Sequence, residues 1–357
     1  MGASGGRTRT LLGFGLAVCL AAAGGYLFFN LHLPLPWMLG SMTACLVAAI
    51  AGLPVMTPMQ VRPPMSAVIG TMLGAGFPPD LLYRLGHWIV PMLGLVVFML
   101  ACAVCCVSFF RYVAKFDAKT AYFCGMPGGL IEMTMLGDSV GADARRIALV
   151  HTARVFTIVF IVPFIGRYAY GDQNLKPVSN FASARDISAE FFLWLVATSI
   201  VGIALGKLLR LPAPYLIGPM LVSGALHLGG VTDFTIPSEL IITAQVVLGA
   251  SLGCRFSGTA LREVGRILLL SLGSTAILLT LTVFFGFAVS MVAGIDPVAI
   301  ILAYSPGGLA EMGLVALSLD VDTAFVASHH IARVMLVGFG AGLIFKLGER
   351  LRAQQTE

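Results

Sequence analysis

Charge is what this sequence has least of. Only 11% of its 357 residues are Asp, Glu, Lys or Arg, whereas soluble domains carry about 25%. So few charges cannot cover a water-facing surface for a chain of this length, and a soluble globular fold is excluded. Basic runs are also missing. Lys and Arg stand singly or in small groups at the ends of apolar segments, so no stripe exists to follow a phosphate backbone, and nucleic acid is not expected as a partner. Metal-ligand spacing is absent as well. The six histidines (His32, His87, His151, His227, His329, His330) form no H-x-H or H-E-x-x-H pattern. Cys102, Cys105 and Cys106 lack a second Cys or His pair to complete a ligand set. They and Cys19, Cys45, Cys124 and Cys254 read as small hydrophobes in apolar runs. No metal, no cofactor and no catalytic residue is predicted, so an enzyme is not expected.

What the chain does contain is hydrocarbon, at 58% hydrophobic residues and a mean hydropathy of +0.94. The solvent for most of it must be lipid, which predicts an all-α polytopic membrane protein. The net charge of +5 then reports topology, because Lys and Arg collect on the cytoplasmic side. Arg7 and Arg9 before Leu11–Ala23 resemble a secretory signal. The second half of the chain has a counterpart to this segment, so a retained first span is expected.

That counterpart is part of an internal repeat. Leu33-Pro34-Leu35-Pro36 recurs as Leu211-Pro212-Ala213-Pro214, 178 residues later. Gly70-Thr71-Met72-Leu73-Gly74 recurs as Gly249-Ala250-Ser251-Leu252-Gly253 at a shift of 179. At the same shift Pro127-Gly128-Gly129-Leu130-Ile131-Glu132-Met133 matches Pro306-Gly307-Gly308-Leu309-Ala310-Glu311-Met312, and His151-Thr152-Ala153-Arg154 matches His330-Ile331-Ala332-Arg333. The expected organisation is repeat one over 1–170, a polar linker over 171–187 and repeat two over 188–357. Hydrophobic segments are expected near 11–29, 36–54, 64–79, 88–110, 118–137 and 146–169, then 189–208, 214–231, 237–254, 266–294, 297–317 and 324–346. Basic ends fall after even-numbered spans in copy one and after odd-numbered spans in copy two, which predicts inverted copies. Inversion requires an odd number of crossings per copy. We therefore expect about five spans each, both termini cytoplasmic, and a Pro-Gly-Gly segment that is re-entrant or broken rather than fully spanning.

The candidate site follows from these breaks. Pro127, Gly128 and Gly129, with Pro306, Gly307 and Gly308, should stop one helix and start another, since proline removes a donor and glycine permits unusual dihedrals. The new helix start would expose N–H groups at a positive end; the alternative is a packing kink. Glu132 and Glu311 on the first turn are costly in hydrocarbon and suggest protonation or cation coordination. A structural salt bridge to Arg154 or Arg333 would explain them equally. His151 with Arg154, and His330 with Arg333, share helix faces three residues apart. They could bind a carboxylate or phosphate, or the arginines could snorkel to an interface. Asp143 and Asp322 match under the shift and look like helix-start carboxylates. Asp138 has no acidic partner, and Gln60 and Gln245 do not coincide and read as simple polar contacts.

With its twin P-G-G-L-x-E-M segments, each followed by H-x-x-R-V after an aspartate, the chain resembles the AbrB-duplication family of bacterial membrane proteins. The resemblance runs from about residue 11 to 347. Family members carry the labels "ammonia monooxygenase" and "AbrB family transcriptional regulator", and the resemblance implies a bacterial inner-membrane protein without an established substrate. Three functions are open at this stage. One is a secondary transporter of a small, anionic solute coupled to H⁺ or Na⁺. Another is a membrane regulator of gene expression acting through a partner, although the cytoplasmic loops are short. An oxygenase would need copper or iron ligands that the sequence lacks. Expected partners are the bilayer and the solute, with a homo-oligomer left open.

Overall fold

A computed structural model describes residues 3–170, 183–185, 188–258 and 261–354. The expected linker therefore lies, apart from 183–185, outside the described residues. The described residues are helical throughout, without strands. Repeat one contributes α1 (Ala3–Asn30), α2 (Pro36–Ile50), α3 (Arg62–Ala75), α4 (Ile89–Ser108), α5 (Ala118–Gly125), α6 (Leu130–Ser139) and α7 (Ala144–Tyr170). Repeat two contributes α8 (Ala189–Leu208), α9 (Pro214–Leu228), α10 (Ser238–Gly253), α11 (Leu261–Ala293), α12 (Pro297–Tyr304), α13 (Leu309–Ser318) and α14 (Thr323–Gln354). Each helix of one copy has its counterpart seven places on.

Local sequence sets these boundaries. α2 and α9 both begin with proline at the first helical position, where its missing N–H costs nothing. The residues before them, Leu35 and Ala213, hold left-handed backbone at φ 43° and φ 46°. Such a conformation costs about 1–2 kcal/mol for a residue with a Cβ, and the same strained turn occurs in both copies. Seven helices are long and apolar enough to cross a membrane, including α1, α4, α7, α8 and α11. Shorter apolar helices accompany them, among them α2 and α9, whose 15 residues rise about 22 Å at 1.5 Å per residue. They lie inside the bundle, pressed backbone to backbone through Gly24 against Gly40 and Gly202 against Gly218. Small residues are what permit such approach where no hydrophobic effect drives helices together. α1 packs on both α2 and α10, with Ala17 and Ala21 fully buried.

The outward faces are apolar. Leu93, Val97, Leu100 and Val104 along α4, and Leu193, Val196 and Ile200 along α8, are all exposed. Water would not tolerate apolar stripes of that extent, and lipid does. The protein is a membrane protein.

The two copies are related by inversion. α4 and its own counterpart α11 lie side by side in opposite directions. Gly94 faces Val289, Phe98 meets Phe285 at 5.6 Å, and the Cys106 thiol donates to the Ser274 carbonyl at 3.9 Å. Two equivalent helices that pack antiparallel are related by an axis perpendicular to both. The other contacts obey the same exchange: α2 packs on α10 as α9 does on α3, and α7 on α11 as α14 does on α4. The exchange fails in one prominent place. α13 packs against α3, through Gly313 on Leu73, whereas no packing of comparable extent joins α6 to α10 among the described residues.

Candidate functional site

Both Pro-Gly-Gly segments break a helix as the sequence predicts. α5 starts on Asp117, whose carboxylate accepts from the Thr120 N–H at 2.9 Å, and stops at Gly125. α12 starts on Asp296, which accepts from the Val298 N–H at 3.0 Å, and stops at Tyr304. Four extended residues follow in each copy before α6 and α13 begin. Gly129 and Gly308 are the N-caps, at φ −69° and −74°, without side-chain capping bonds.

The role expected for the glycines needs correction. None of the four adopts positive φ, so conformational freedom is not what they supply. They supply space. A Cβ on Gly129 would overlap the Glu132 carboxylate, and one on Gly308 would overlap that of Glu311. Each glutamate therefore folds back over its own helix start, where its charge opposes the positive helix end.

The arginines and histidines serve the other side of each break. Arg154 donates through Nη1 to the Met126 carbonyl at 2.9 Å, and through Nη2 to that of Cys124. Arg333 donates to Ser305 O at 2.5 Å and Gly307 O at 2.6 Å. His151 Nε2 meets Phe123 O at 2.9 Å, and His330 Nε2 meets Leu302 O at 3.1 Å. These carbonyls belong to the last turn and break of a half-helix, where the main chain leaves acceptors without intrahelical donors. Arg333 also donates to His330 Nδ1 at 2.9 Å. Arginine only donates, so His330 is neutral there and carries its proton on Nε2.

This geometry decides among the sequence-based alternatives. Arg154 and Arg333 are 2% and 4% exposed, so they do not snorkel. Nor do they pair with the glutamates. Ion pairs lie elsewhere, as in Arg84–Asp80, Arg84–Asp322 and Arg146–Asp143. Glu311 has Arg255, at the end of α10, within electrostatic range, and Arg255 has Arg62. Asp143 and Asp322 are helix-start carboxylates as expected, accepting from the N–H groups of Arg146 and Phe325 at 3.0 Å each. Arg154 and Arg333 lie within electrostatic range of one another and of Cys102 on α4.

The two breaks differ in cover. Glu311 is 4% exposed and the rest of α13 from Leu309 to Ala316 is buried, while Glu132 is half-buried and Ile131 and Met135 on α6 are 58% and 67% exposed. Sequence reasoning passed over two residues. Gln245, in α10, is fully buried with neither amide atom partnered among the described residues. His329, next to the paired His330, is likewise fully buried with Nε2 unpartnered. Among the described residues no group of three or more His, Cys, Asp or Glu could hold a metal.

Comparison with known proteins gives a family and two relatives. The family model described as "Transition state regulatory protein AbrB" matches residues 37–349. The chain is 28% identical over 343 residues to "Uncharacterized protein YhjN" of Bacillus subtilis (strain 168), covering 90% of this chain and 89% of that one. It is 25% identical over 315 residues to "Putative regulator AbrB" of Escherichia coli (strain K12), covering 87% and 89%.

Proposed function

The chain belongs to the AbrB family, and from that footing we propose that it is a secondary transporter of a small solute, coupled to H⁺ or Na⁺. One observation supports the reading: two inverted, chemically equivalent helix breaks are each braced by a buried arginine, the two arginines lie within electrostatic range of one another, and one break is covered by α3 while the other is half-exposed. Inverted repeats with discontinuous helices are a recurring design of transporters, in which one repeat rocks against the other around a fixed site. Each break offers unbonded N–H groups and a carboxylate, the means to hold a polar solute and a cation together. Recognition of an anionic solute then rests on the helix starts with Arg255 and Arg62. The terminal nitrogens of Arg154 and Arg333 are engaged with backbone carbonyls. The reading includes ten crossings in a bacterial inner membrane with both termini cytoplasmic.

The test is flux in proteoliposomes under an imposed H⁺ or Na⁺ gradient, screened over small carboxylates, phosphates and neutral metabolites. Accumulation driven by one gradient and lost in E132Q/E311Q supports the reading. No flux or binding across the screen, from well-folded protein, overturns it.

The printed names of the family and of the Escherichia coli relative favour a second reading, a membrane regulator of gene expression acting through a partner. Such a protein must hold a cytoplasmic partner, and in-cell crosslinking that captures none counts against it.

A further inference from the structure

His329 has no counterpart in repeat one. The equivalent position is Val150, also fully buried, so the fold does not need a histidine there. Its Nδ1 lies 2.8 Å from the Phe325 carbonyl oxygen. A carbonyl only accepts, so Nδ1 carries the proton and Nε2 presents a bare lone pair. That lone pair is buried without a partner among the described residues, which an imidazole in an apolar surrounding tolerates poorly. Three aromatic rings box the imidazole: Phe325 at 4.1 Å, Trp88 at 6.3 Å and Tyr304 at 6.3 Å between centroids. The Tyr304 hydroxyl is committed elsewhere, donating to the Pro91 carbonyl at 2.5 Å.

Trp88 and Phe325 also line an open cavity of about 430 Å³, with Arg84, His87, Asp296, Asp320 and Asp322 among its other walls. The ring of His329 thus sits directly behind two lining aromatics, one turn of α14 below a vestibule carrying three carboxylates. Of these, Asp322 caps α14 and meets Arg84 at 3.4 Å, and Asp296 caps α12. We propose that His329 is a proton-binding site served by this vestibule. Nε2 takes a proton delivered from water through the acidic mouth and returns it by the same bond. The ring of Phe325, at 4.1 Å, stabilises the imidazolium by cation–π contact. Other titratable groups on the elements packed around α14 are Arg62 on α3, Tyr304 on α12, Glu311 on α13 and Cys102, Cys105 and Cys106 on α4, with His330 and Arg333 on α14 itself. Arg333 and His330 are turned onto the carbonyls at the second break. Named this way, the coupling ion of the transport reading is the proton; the site rests on that reading only for its purpose.

Trp88 allows the site to be read without any solute. The full chain in lipid nanodiscs, with Trp37→Phe and Trp194→Phe, leaves Trp88 as the sole tryptophan. It is titrated from about pH 8 to about pH 4, across the ordinary imidazole range. Protonation of His329 should quench Trp88 emission reversibly, the quench surviving in His87→Gln and lost in His329→Gln. If His329→Gln does not assemble, His329→Val places there the side chain that repeat one holds at the same position. A flat profile, or a quench that persists without His329, overturns the proposal. A quench dependent on His329 in a protein that moves no solute upholds this site and sinks the transport reading alone. Flux whose pH dependence is unchanged in His329→Gln does the reverse.

Discussion

The Arg154 guanidinium bridges the first helix break, with Nη1 2.9 Å from the carbonyl oxygen of Met126 and Nη2 on that of Cys124. The side chain is anchored on α7, so α7 holds the shape of a break 28 residues earlier in the chain. A charge-assisted bond is worth about 1.5–3 kcal/mol, and in a hydrocarbon surrounding no water replaces it. Arg154→Ala should therefore lower the thermal unfolding temperature in detergent sharply, and Arg333→Ala likewise. Lysine should not rescue either, because a single ammonium lacks the planar fork that spans two carbonyls. If Arg154→Lys unfolds like the parent protein and loses only solute binding, the arginine is a ligand and not a brace.

Gly308 and Gly129 test whether the folded-back glutamates matter. An added methyl group at either position overlaps the carboxylate of the same turn, while the backbone, at φ −74° and −69°, accepts alanine without strain. Gly308→Ala and Gly129→Ala should insert and unfold almost as the parent does yet lose solute flux, as Glu311→Gln and Glu132→Gln should. Flux at parental rates in Gly308→Ala would show that the position of the Glu311 carboxylate is immaterial. The Glu311 variants should also be the more damaging to stability, since that carboxylate is buried and its partner copy is half-exposed.

The helix starts carry a pH signature outside the spanning segments. Burial pushes the Asp117 carboxyl up, but its bonds from Thr120 and the neighbouring backbone outweigh this and hold it below the usual 3.8. A lowered folded value means the stabilisation is complete above the unfolded value and fades as pH falls through the folded one. Asp117→Ala should thus cost about 0.5–2 kcal/mol at neutral pH, the range for a lost N-cap. The gap between variant and parent in denaturant unfolding should close only below about pH 4. A gap independent of pH would mean the side chain acts by packing alone.

Much of this was legible in the sequence because a duplicated chain carries its own control. The shift of 179 marks Pro127 with Pro306, Asp143 with Asp322 and Arg154 with Arg333, and the apolar segments follow lipid thickness. What stayed hidden were the partners of Arg154, Arg333, His151 and His330, since these are backbone carbonyls and any residue supplies one. The constant separation of 28 residues, Phe123 to His151 and Leu302 to His330, was the trace they left. His329 and Gln245 were invisible for the opposite reason: a residue absent from the other copy falls outside the repeat.

The unequal cover of the two breaks is the feature most open to direct attack. Gly313 seats against Leu73, and the equivalent pair under the shift is Thr134 and Leu252, which the structure does not bring together. Part of the difference is written in side-chain volume: Ala310 and Gly313 let α13 close on α3, while Ile131 and Thr134 stand α6 off from α10. Alternating access nonetheless requires α6 to approach α10 in the state that opens α13. In a background without native cysteines, Leu73→Cys with Gly313→Cys should crosslink readily. Thr134→Cys with Leu252→Cys should crosslink at lower yield, rising when Ile131→Ala removes bulk, and the second crosslink should deplete the first. Full reactivity of the first pair, with none from the second under any gradient or solute, would make the asymmetry a fixed property of the fold. The rocking mechanism would then have to be abandoned, whatever the flux measurements gave.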